Sequence, residues 1–348
     1  MRRVLVTGSS GFVGQTVVVH LLGAGYEVVG CDLLPANGRV PTHPHVVGDI
    51  RSNDLWHQLE RYGIDRIVHC AAAVVSQAVR DPGTVRSTNV VGTEQVVAFA
   101  RRAGVRKIVF ISTCCLWKSS MHRAVLETDT PDPGEVYGLT KLRGEHLLLG
   151  EGRRTGGFDA VILRSPTVVG ARRIGYFSLL YDFVFQGKRV WVVGSGNNRQ
   201  QFVSDEDLAV ACRLGLEYAN TDVFNVGSDE VRTLRTLYGD LIDFAGSESK
   251  VTSLPATMTL LGMRAAYRLG ISPLGPYHYR MIAEDFVFDT SKAKRVLGWS
   301  PTATNTEMLL DGYKYYVAHR DEVHADDTLS EHQRPARMGV IRLLKWVS

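Results

Sequence analysis

The sequence predicts an α/β fold: a doubly wound parallel sheet followed by a smaller C-terminal α/β lobe. Three observations carry that prediction. Short apolar runs alternate with stretches of helical spacing through residues 1–169, a glycine-rich turn joins the first run to the first helix, and the alternation loosens from about Gly170, where Gly and Pro clusters set in. With 348 residues, 45% of them hydrophobic, the chain can bury a large core, and its composition carries neither disordered nor collagen-like bias.

The first strand, Arg3-Val4-Leu5-Val6-Thr7, runs into Gly8-Ser9-Ser10-Gly11-Phe12-Val13-Gly14. Gly8 permits the tight turn, Gly11 lets the backbone approach a pyrophosphate, and Gly14 lets the new helix pack closely on the sheet. The helix start then offers phosphates its unpaired N–H groups and positive dipole end. A second strand, Glu27 to Cys31, ends in Asp32, where a carboxylate can hydrogen-bond an adenosine ribose diol and repel a 2′-phosphate. The arrangement reads as a Rossmann-type dinucleotide clamp that prefers NAD to NADP.

Further apolar runs at Arg66 to Cys70, Lys107 to Ser112 and Ala160 to Leu163 extend the sheet. Ligands of such sheets sit beyond the carboxyl ends of the strands, which singles out His69-Cys70-Ala71-Ala72-Ala73, Ser112-Thr113-Cys114 and Arg164-Ser165-Pro166-Thr167. In the expected lobe, residues 170–320, short strands at Val190–Val193 and Val223–Val226 lie between helical stretches. Leu254 to Ile271 has an apolar face with Arg264 and Arg268 and requires no more than a helix packed on that lobe. The tail, residues 321–348, is polar and then ends in Met338-Gly339-Val340-Ile341-Arg342-Leu343-Leu344-Lys345-Trp346, which is expected to dock as one amphipathic turn.

The net charge of +4 is spread over Arg-rich segments with acids among them, which argues against a nucleic-acid surface and suits small anionic substrates. The five cysteines (Cys31, Cys70, Cys114, Cys115, Cys212) have no metal-ligand spacing, and three fall in or at the end of apolar strands. Buried reduced thiols, no metal site and a cytoplasmic location are expected. The chain enters its first strand at once and contains no run long enough to span a bilayer, so neither a signal peptide nor a membrane partner is expected.

The second constellation is Tyr137-Gly138-Leu139-Thr140-Lys141. Residues four apart share a helix face, so the Lys141 ammonium can stand beside the Tyr137 phenol and lower its pKa toward working pH. Tyr137 is then a candidate general base for a substrate hydroxyl and, in reverse, a general acid for a ketone oxygen. Thr113, at a strand end, is placed to hydrogen-bond the same oxygen.

Together these stretches resemble the extended short-chain dehydrogenase/reductase family, in its NAD-dependent epimerase/dehydratase branch, over most of the chain. The resemblance puts Gly8, Ser10, Gly11, Phe12 and Val13 in the nucleotide turn, with Asp32 on the ribose. It gives Asp49 and Ile50, in Gly48-Asp49-Ile50-Arg51, to the adenine side, and sets Ala71, Ala72 and Ala73 beside the nicotinamide, with Pro166 a further cofactor contact. Asn89, in Asn89-Val90-Val91-Gly92-Thr93, supports the active site, Tyr137 and Lys141 match the catalytic pair and also touch the cofactor, and Thr113 occupies the catalytic Ser/Thr position. Substrate contacts fall on Thr113, Tyr137, Thr167, Arg199 and Arg280, the two arginines as phosphate ligands because guanidinium grips phosphate in two-pronged fashion. Gly194-Ser195-Gly196, Phe202 to Asp207, Asn225-Val226-Gly227 and the run from Asp289 to Trp299 are similar to the family's substrate-lobe motifs.

Departures narrow the reaction. Cys114 and Cys115 follow Thr113 where sugar-nucleotide dehydratases carry Asp-Glu, so no acid stands there to protonate a leaving hydroxyl. Trp117 replaces a usual tyrosine, Gln200 stands where an arginine is common with Arg199 displaced by one, and Thr167 replaces an asparagine. The resemblance implies an NAD-dependent sugar-nucleotide epimerase acting at C4 of a UDP-linked hexose or hexuronic acid. It also implies a homodimer through the helices around Gly92 to Arg102 and Tyr137 to Leu149. The alternatives are a net NAD(P)-dependent dehydrogenase or ketoreductase on a sugar, cyclitol or other alcohol, and a non-catalytic NAD-binding scaffold.

Overall fold

The computed structural model describes residues 3–36, 40–74, 81–173, 175, 177–269 and 276–321, the side chains of 276, 277 and 280 excepted. Six strands fill the first half: β1 (Arg3–Thr7), β2 (Glu27–Asp32), β3 (His45–Val47), β4 (Arg66–His69), β5 (Lys107–Thr113) and β6 (Asp159–Ser165). The second half adds β7 (Thr167–Val169), β8 (Val190–Val193), β9 (Phe202–Ser204), β10 (Asp222–Asn225) and β11 (Val251–Leu254). Helices intervene: α1 (Phe12–Gly23), α2 (Asn53–Glu60), α3 (Pro82–Arg86), α4 (Gly92–Ala103), α5 (Val136–Gly152) and α6 (Phe177–Phe185), then α7 (Asp205–Glu217), α8 (Leu234–Ala245), α9 (Ala256–Arg268), α10 (Pro276–Ala283) and α11 (Asn305–Ala318).

Seven strands pair in the order β10-β6-β5-β4-β1-β2-β3, all parallel. Parallel strands are covered on both faces, which is why β1, β4 and β5 read as near-continuous apolar runs rather than as alternations. Successive side chains still point to opposite faces. Val4 and Val6 join one core with Val17, Leu21, Leu208 and Phe224, whereas Leu5 joins a second with Trp56, Phe99, Ile108 and Leu148. The chain leaves β1 for β2 on one side and returns to β4 on the other, and that reversal of strand order opens the crevice in which such sheets bind ligands.

One strand is not where the sequence suggested. The run around Val223, expected in the smaller lobe, forms β10 and extends the large sheet alongside β6. Helix α7 before it packs on α1 and contributes Leu208, Ala211 and Cys212 to the first core. Asp207 on α7 in turn holds a distant segment, its carbonyl accepting from the Trp299 indole at 2.8 Å and its carboxylate accepting from Thr302. The remaining C-terminal elements gather a third core of Tyr181, Phe202, Leu237, Leu241, Leu309 and Tyr316 beside two two-stranded sheets, β11–β8 and β7–β9.

Helix α9 departs further from expectation: none of its residues is buried. The tail beyond Asp321 lies outside the described residues. Among the described residues no helix is long and apolar enough to cross a membrane.

Candidate active site

The glycine turn is built as its spacing implies. Gly8 takes φ +69°, and a Cβ there would come within 2.7 Å of the Ala71 nitrogen. A Cβ on Gly14 would lie 2.0 Å from the Gly8 carbonyl oxygen, so α1 approaches β1 as closely as it does only because that side chain is missing. No side chain caps α1, whose N-cap is Gly11, and its first N–H groups are left to the turn. Asp32 ends β2 beside this turn: its carboxylate accepts from the Ser10 N–H at 3.0 Å and from the Leu34 N–H at 3.0 Å. Phe12 is buried in the core, so Phe12 and Val13 contribute backbone rather than side chain here. These features fit an NAD pyrophosphate and ribose: a tight turn bare of side chains at its glycines, N–H groups with no side-chain cap and a fixed carboxylate.

On the other side of the crevice, Asp49 is gripped by the Arg51 guanidinium through contacts of 3.0, 3.0 and 2.6 Å, which hold its carboxylate below the usual range. Ile50 packs against Gly92, where a Cβ would fall 2.4 Å from Ile50 Cδ1. The segment after β4 is tied down by Asn89, whose Oδ1 accepts from the Ala73 N–H (2.7 Å) and whose Nδ2 donates to the Ala73 carbonyl (3.0 Å) and to Thr140 Oγ1 (3.1 Å). The Thr140 hydroxyl donates to the Tyr137 carbonyl at 2.8 Å. Asn89 thus joins the stretch Ala71–Ala73 to the first turn of α5, which carries Tyr137 and Lys141.

A residue that sequence reasoning left without a role completes this network. Buried His69 has Nδ1 2.7 Å from Thr7 Oγ1 and Nε2 3.0 Å from Thr93 Oγ1. Because the Thr93 hydroxyl donates to the Asn89 carbonyl, it accepts from His69 Nε2–H, and Nδ1 then accepts from Thr7. Burial, with the Lys141 charge second, pushes the imidazole down to about 3 and keeps it neutral. The only sequence signal was its place at a strand end.

Lys141 is buried with its Nζ 3.9 Å from the centroid of the Phe110 ring. Burial pushes its pKa down to about 7, opposed by Cys70 and Glu145. Because the unfolded lysine binds its proton up to about 10.5 and the folded one only to about 7, this residue makes stability rise with pH across that window. Below it both states are protonated and the cost of a buried charge is complete. Lys141→Met is therefore expected to raise Tm over the unsubstituted protein more near pH 6 than near pH 9.5, as thermal unfolding at the two pH values will measure; equal differences would contradict a buried titrating lysine.

Tyr137 corrects one expectation. Desolvation, with Cys115 and Cys114 adding to it, pushes the phenol pKa up rather than down, and the opposing charge is Arg173, not Lys141. The two side chains share a helix face, but Lys141 is spent on Phe110, Cys70 and Glu145. Tyr137 packs on the cluster of Cys114, Cys115, Leu116 and Trp117 that follows Thr113. The Cys115 carbonyl sits where a Cβ on Gly138 would come within 2.2 Å. Thr113 is the last residue of β5, and its Oγ1 accepts from the Cys115 N–H at 3.1 Å. Thr113, Tyr137 and Lys141 are thus gathered by one strand end, one tight turn and one helix.

Two further groups escaped the sequence reading. Arg173 stacks over Phe12 of the nucleotide turn at 5.8 Å, donates to the Val168 carbonyl at 2.6 Å and reaches Tyr137 by its charge. Arg164 of β6 and Glu145 of α5 form a buried ion pair at 2.7 Å, with Arg164 also 5.3 Å from the Trp117 ring. Of the candidate substrate residues, half-buried Thr167 faces Met281, with Oγ1 3.8 Å from its Sδ. Arg199 is paired with Asp285, its N–H donating at 2.5 Å and its guanidinium at 3.4 Å, so its guanidinium is shared with a carboxylate. Ala72 and Pro166 follow β4 and β6 as expected, and the Arg280 side chain lies outside the described residues. Among the described residues no three His, Cys, Asp or Glu side chains are grouped to hold a metal ion.

Known proteins resemble this chain in sequence and in fold. A UDP-glucose 4-epimerase of Streptomyces lividans is 34% identical over 341 residues, covering 90% of this chain and 96% of that protein. An uncharacterised protein of Sinorhizobium fredii, y4nG, is 33% identical over 346 residues, covering 99% and 86%. The Thermus thermophilus UDP-glucose 4-epimerase solved with NAD is 26% identical, covers 90% of this chain and 99% of its own, and superposes with a TM-score of 0.73. The sequence model of the NAD dependent epimerase/dehydratase family matches residues 4–227, and the chain belongs to that family.

Proposed function

We propose that this protein is an NAD-dependent sugar-nucleotide epimerase that inverts C4 of a UDP-linked hexose or hexuronic acid. The observation that carries the reading is the hydrogen-bonded path from Thr7 through His69, Thr93, Asn89 and Thr140 to the Tyr137 carbonyl, which fixes the catalytic helix against the nucleotide turn. A shared frame for cofactor and proton carrier is what reversible hydride chemistry needs. The chemistry NAD supplies when bound is acceptance and return of a hydride. Tyr137 takes the proton of the C4 hydroxyl and later gives it back to the ketone oxygen, and Thr113 orients that oxygen by hydrogen bonding. Arg173 is the cation whose charge reaches the Tyr137 phenol and favours its phenolate. Lys141, brought to about 7 by burial, lies one helical turn further along the same helix.

With Cys114 and Cys115 after Thr113, no carboxylate stands in that turn to expel a hydroxyl, which favours epimerisation over dehydration. The helices α4 and α5 leave Leu139 half-exposed and are the surfaces through which we place a homodimer, checked by mass in solution. All five thiols are free of disulfides, which suits the cytoplasm.

Proton NMR of the enzyme with UDP-glucose, UDP-N-acetylglucosamine and UDP-glucuronate, with only catalytic NAD, tests the reading. The expected result is one or more C4 epimers with no accumulation of NADH. Unchanged sugars together with consumption of added NAD by another alcohol would replace it by the net dehydrogenase.

A further inference from the structure

We propose that α9 is a membrane-surface element, laying its outer face on an anionic lipid bilayer, and this inference is independent of the reaction above. Among the described residues the helix is anchored from one side. Tyr279 of α10 donates to the Met263 carbonyl at 2.9 Å, and the Tyr267 and Tyr279 rings meet edge to face at 6.5 Å. Thr259, Leu260, Met263, Ala266 and Tyr267 are partly covered on that side. On the helical period the opposite face carries Met258, Leu261, Ala265 and, just past the end, Leu269. Met258 is 75% exposed, Leu261 58% and Leu269 74%, so these three apolar side chains point outward in a stripe. Arg264 and Arg268, both exposed, flank it.

Charge selects the occupant. Residues 249–283 contain no Asp or Glu but carry Lys250, Arg264, Arg268 and Arg280. A second copy docked on this face by a two-fold axis would bring Arg264 and Arg268 against their own counterparts, with no acid in residues 249–283 to pair them. The apolar end of the chain's own tail, Met338 to Trp346, is no better matched, since residues 332–348 carry Arg334, Arg337, Arg342 and Lys345, and the tail's acids (Asp321, Glu322, Asp326, Asp327 and Glu331) all lie in the polar stretch before it. An anionic bilayer satisfies both features: the Met and Leu side chains enter the boundary between headgroups and acyl chains, while the arginine stems lie along it and their heads meet phosphates. At 13 residues the helix is about 20 Å long, which suits a position in the plane of the surface rather than across it. The expectation of no membrane partner rested on the lack of a spanning run, and an in-plane helix needs none.

Co-sedimentation of the full-length protein with vesicles of phosphatidylcholine, alone or mixed with phosphatidylglycerol, tests this. The unsubstituted protein is expected to bind the mixed vesicles, weakly to bind the neutral ones, and to be released by salt. Arg264→Gln with Arg268→Gln is expected to lower partitioning about 25-fold, about fivefold for each arginine near the surface. Met258→Asp with Leu261→Asp should abolish it, while turnover of a soluble nucleotide sugar and the thermal unfolding curve stay unchanged. The proposal is overturned by failure of the unsubstituted protein to bind mixed vesicles, or by undiminished binding in the Asp pair. It is equally overturned if Trp346→Asp alone removes all binding, or if the Asp pair lowers the protein's oligomeric mass, which would make the face a contact between copies.

Discussion

Tyr137→Phe lowers turnover by about 10²–10⁴-fold and leaves NAD bound. The phenyl ring keeps the packing against Leu116, Trp117 and Leu142, so the helix and its backbone bond to Thr140 persist, and only the hydroxyl that carries the proton is lost. The Gly8 to Gly14 cradle, Asp32 and Asn89 are untouched, which is why cofactor binding survives. The measurement pairs steady-state turnover with titration of NAD binding. Full activity in the variant would assign the proton to another group and remove the mechanism, whereas loss of both activity and NAD would show that the hydroxyl holds the site together rather than reacting.

Arg164→Met costs about 3–5 kcal/mol of stability, because it strands the Glu145 carboxylate in the interior. The pair is almost completely enclosed, with the two side chains 6% and 1% exposed and 2.7 Å apart. Arg164 also donates to the Glu127 carbonyl at 3.0 Å and lies over Trp117, so its removal loosens the wall behind Tyr137 as well. Joint replacement, Glu145→Leu with Arg164→Met, is expected to recover much of the loss, since the larger cost is the unpaired charge and not the missing attraction. Denaturant unfolding of the two single variants and the double variant measures the cycle; additive losses would mean that the two charges are not coupled.

These two predictions draw on differently legible parts of the chain. Tyr137, Lys141 and the glycines announce themselves because their chemistry is local: a four-residue helical spacing and a turn that excludes side chains are both written over a few consecutive positions. Glu145 and Arg164 stand 19 positions apart on a helix and a strand, and nothing in either neighbourhood marks them as partners. His69 was read only as part of a strand end, because its partners Thr7 and Thr93 come from two other elements and meet only when β1, β4 and α4 are assembled.

The electrostatics of Tyr137 and Lys141 show the same division. From spacing alone, an ammonium beside a phenol lowers the phenol's pKa; in the folded protein burial acts on both groups, raising Tyr137 and bringing Lys141 to about 7. Sequence by itself determined the α/β class and the glycine turn and marked Thr113, Tyr137 and Lys141 as candidates, since each depends on short-range sterics or on hydrophobic period. Only the tertiary structure decided that β10 rejoins the large sheet, that Arg173 faces Tyr137, that Asp285 holds Arg199, and that α9 turns Met258 and Leu261 outward. Those outcomes depend on which distant surfaces exclude water from one another, a property of the assembled chain and not of any stretch of it.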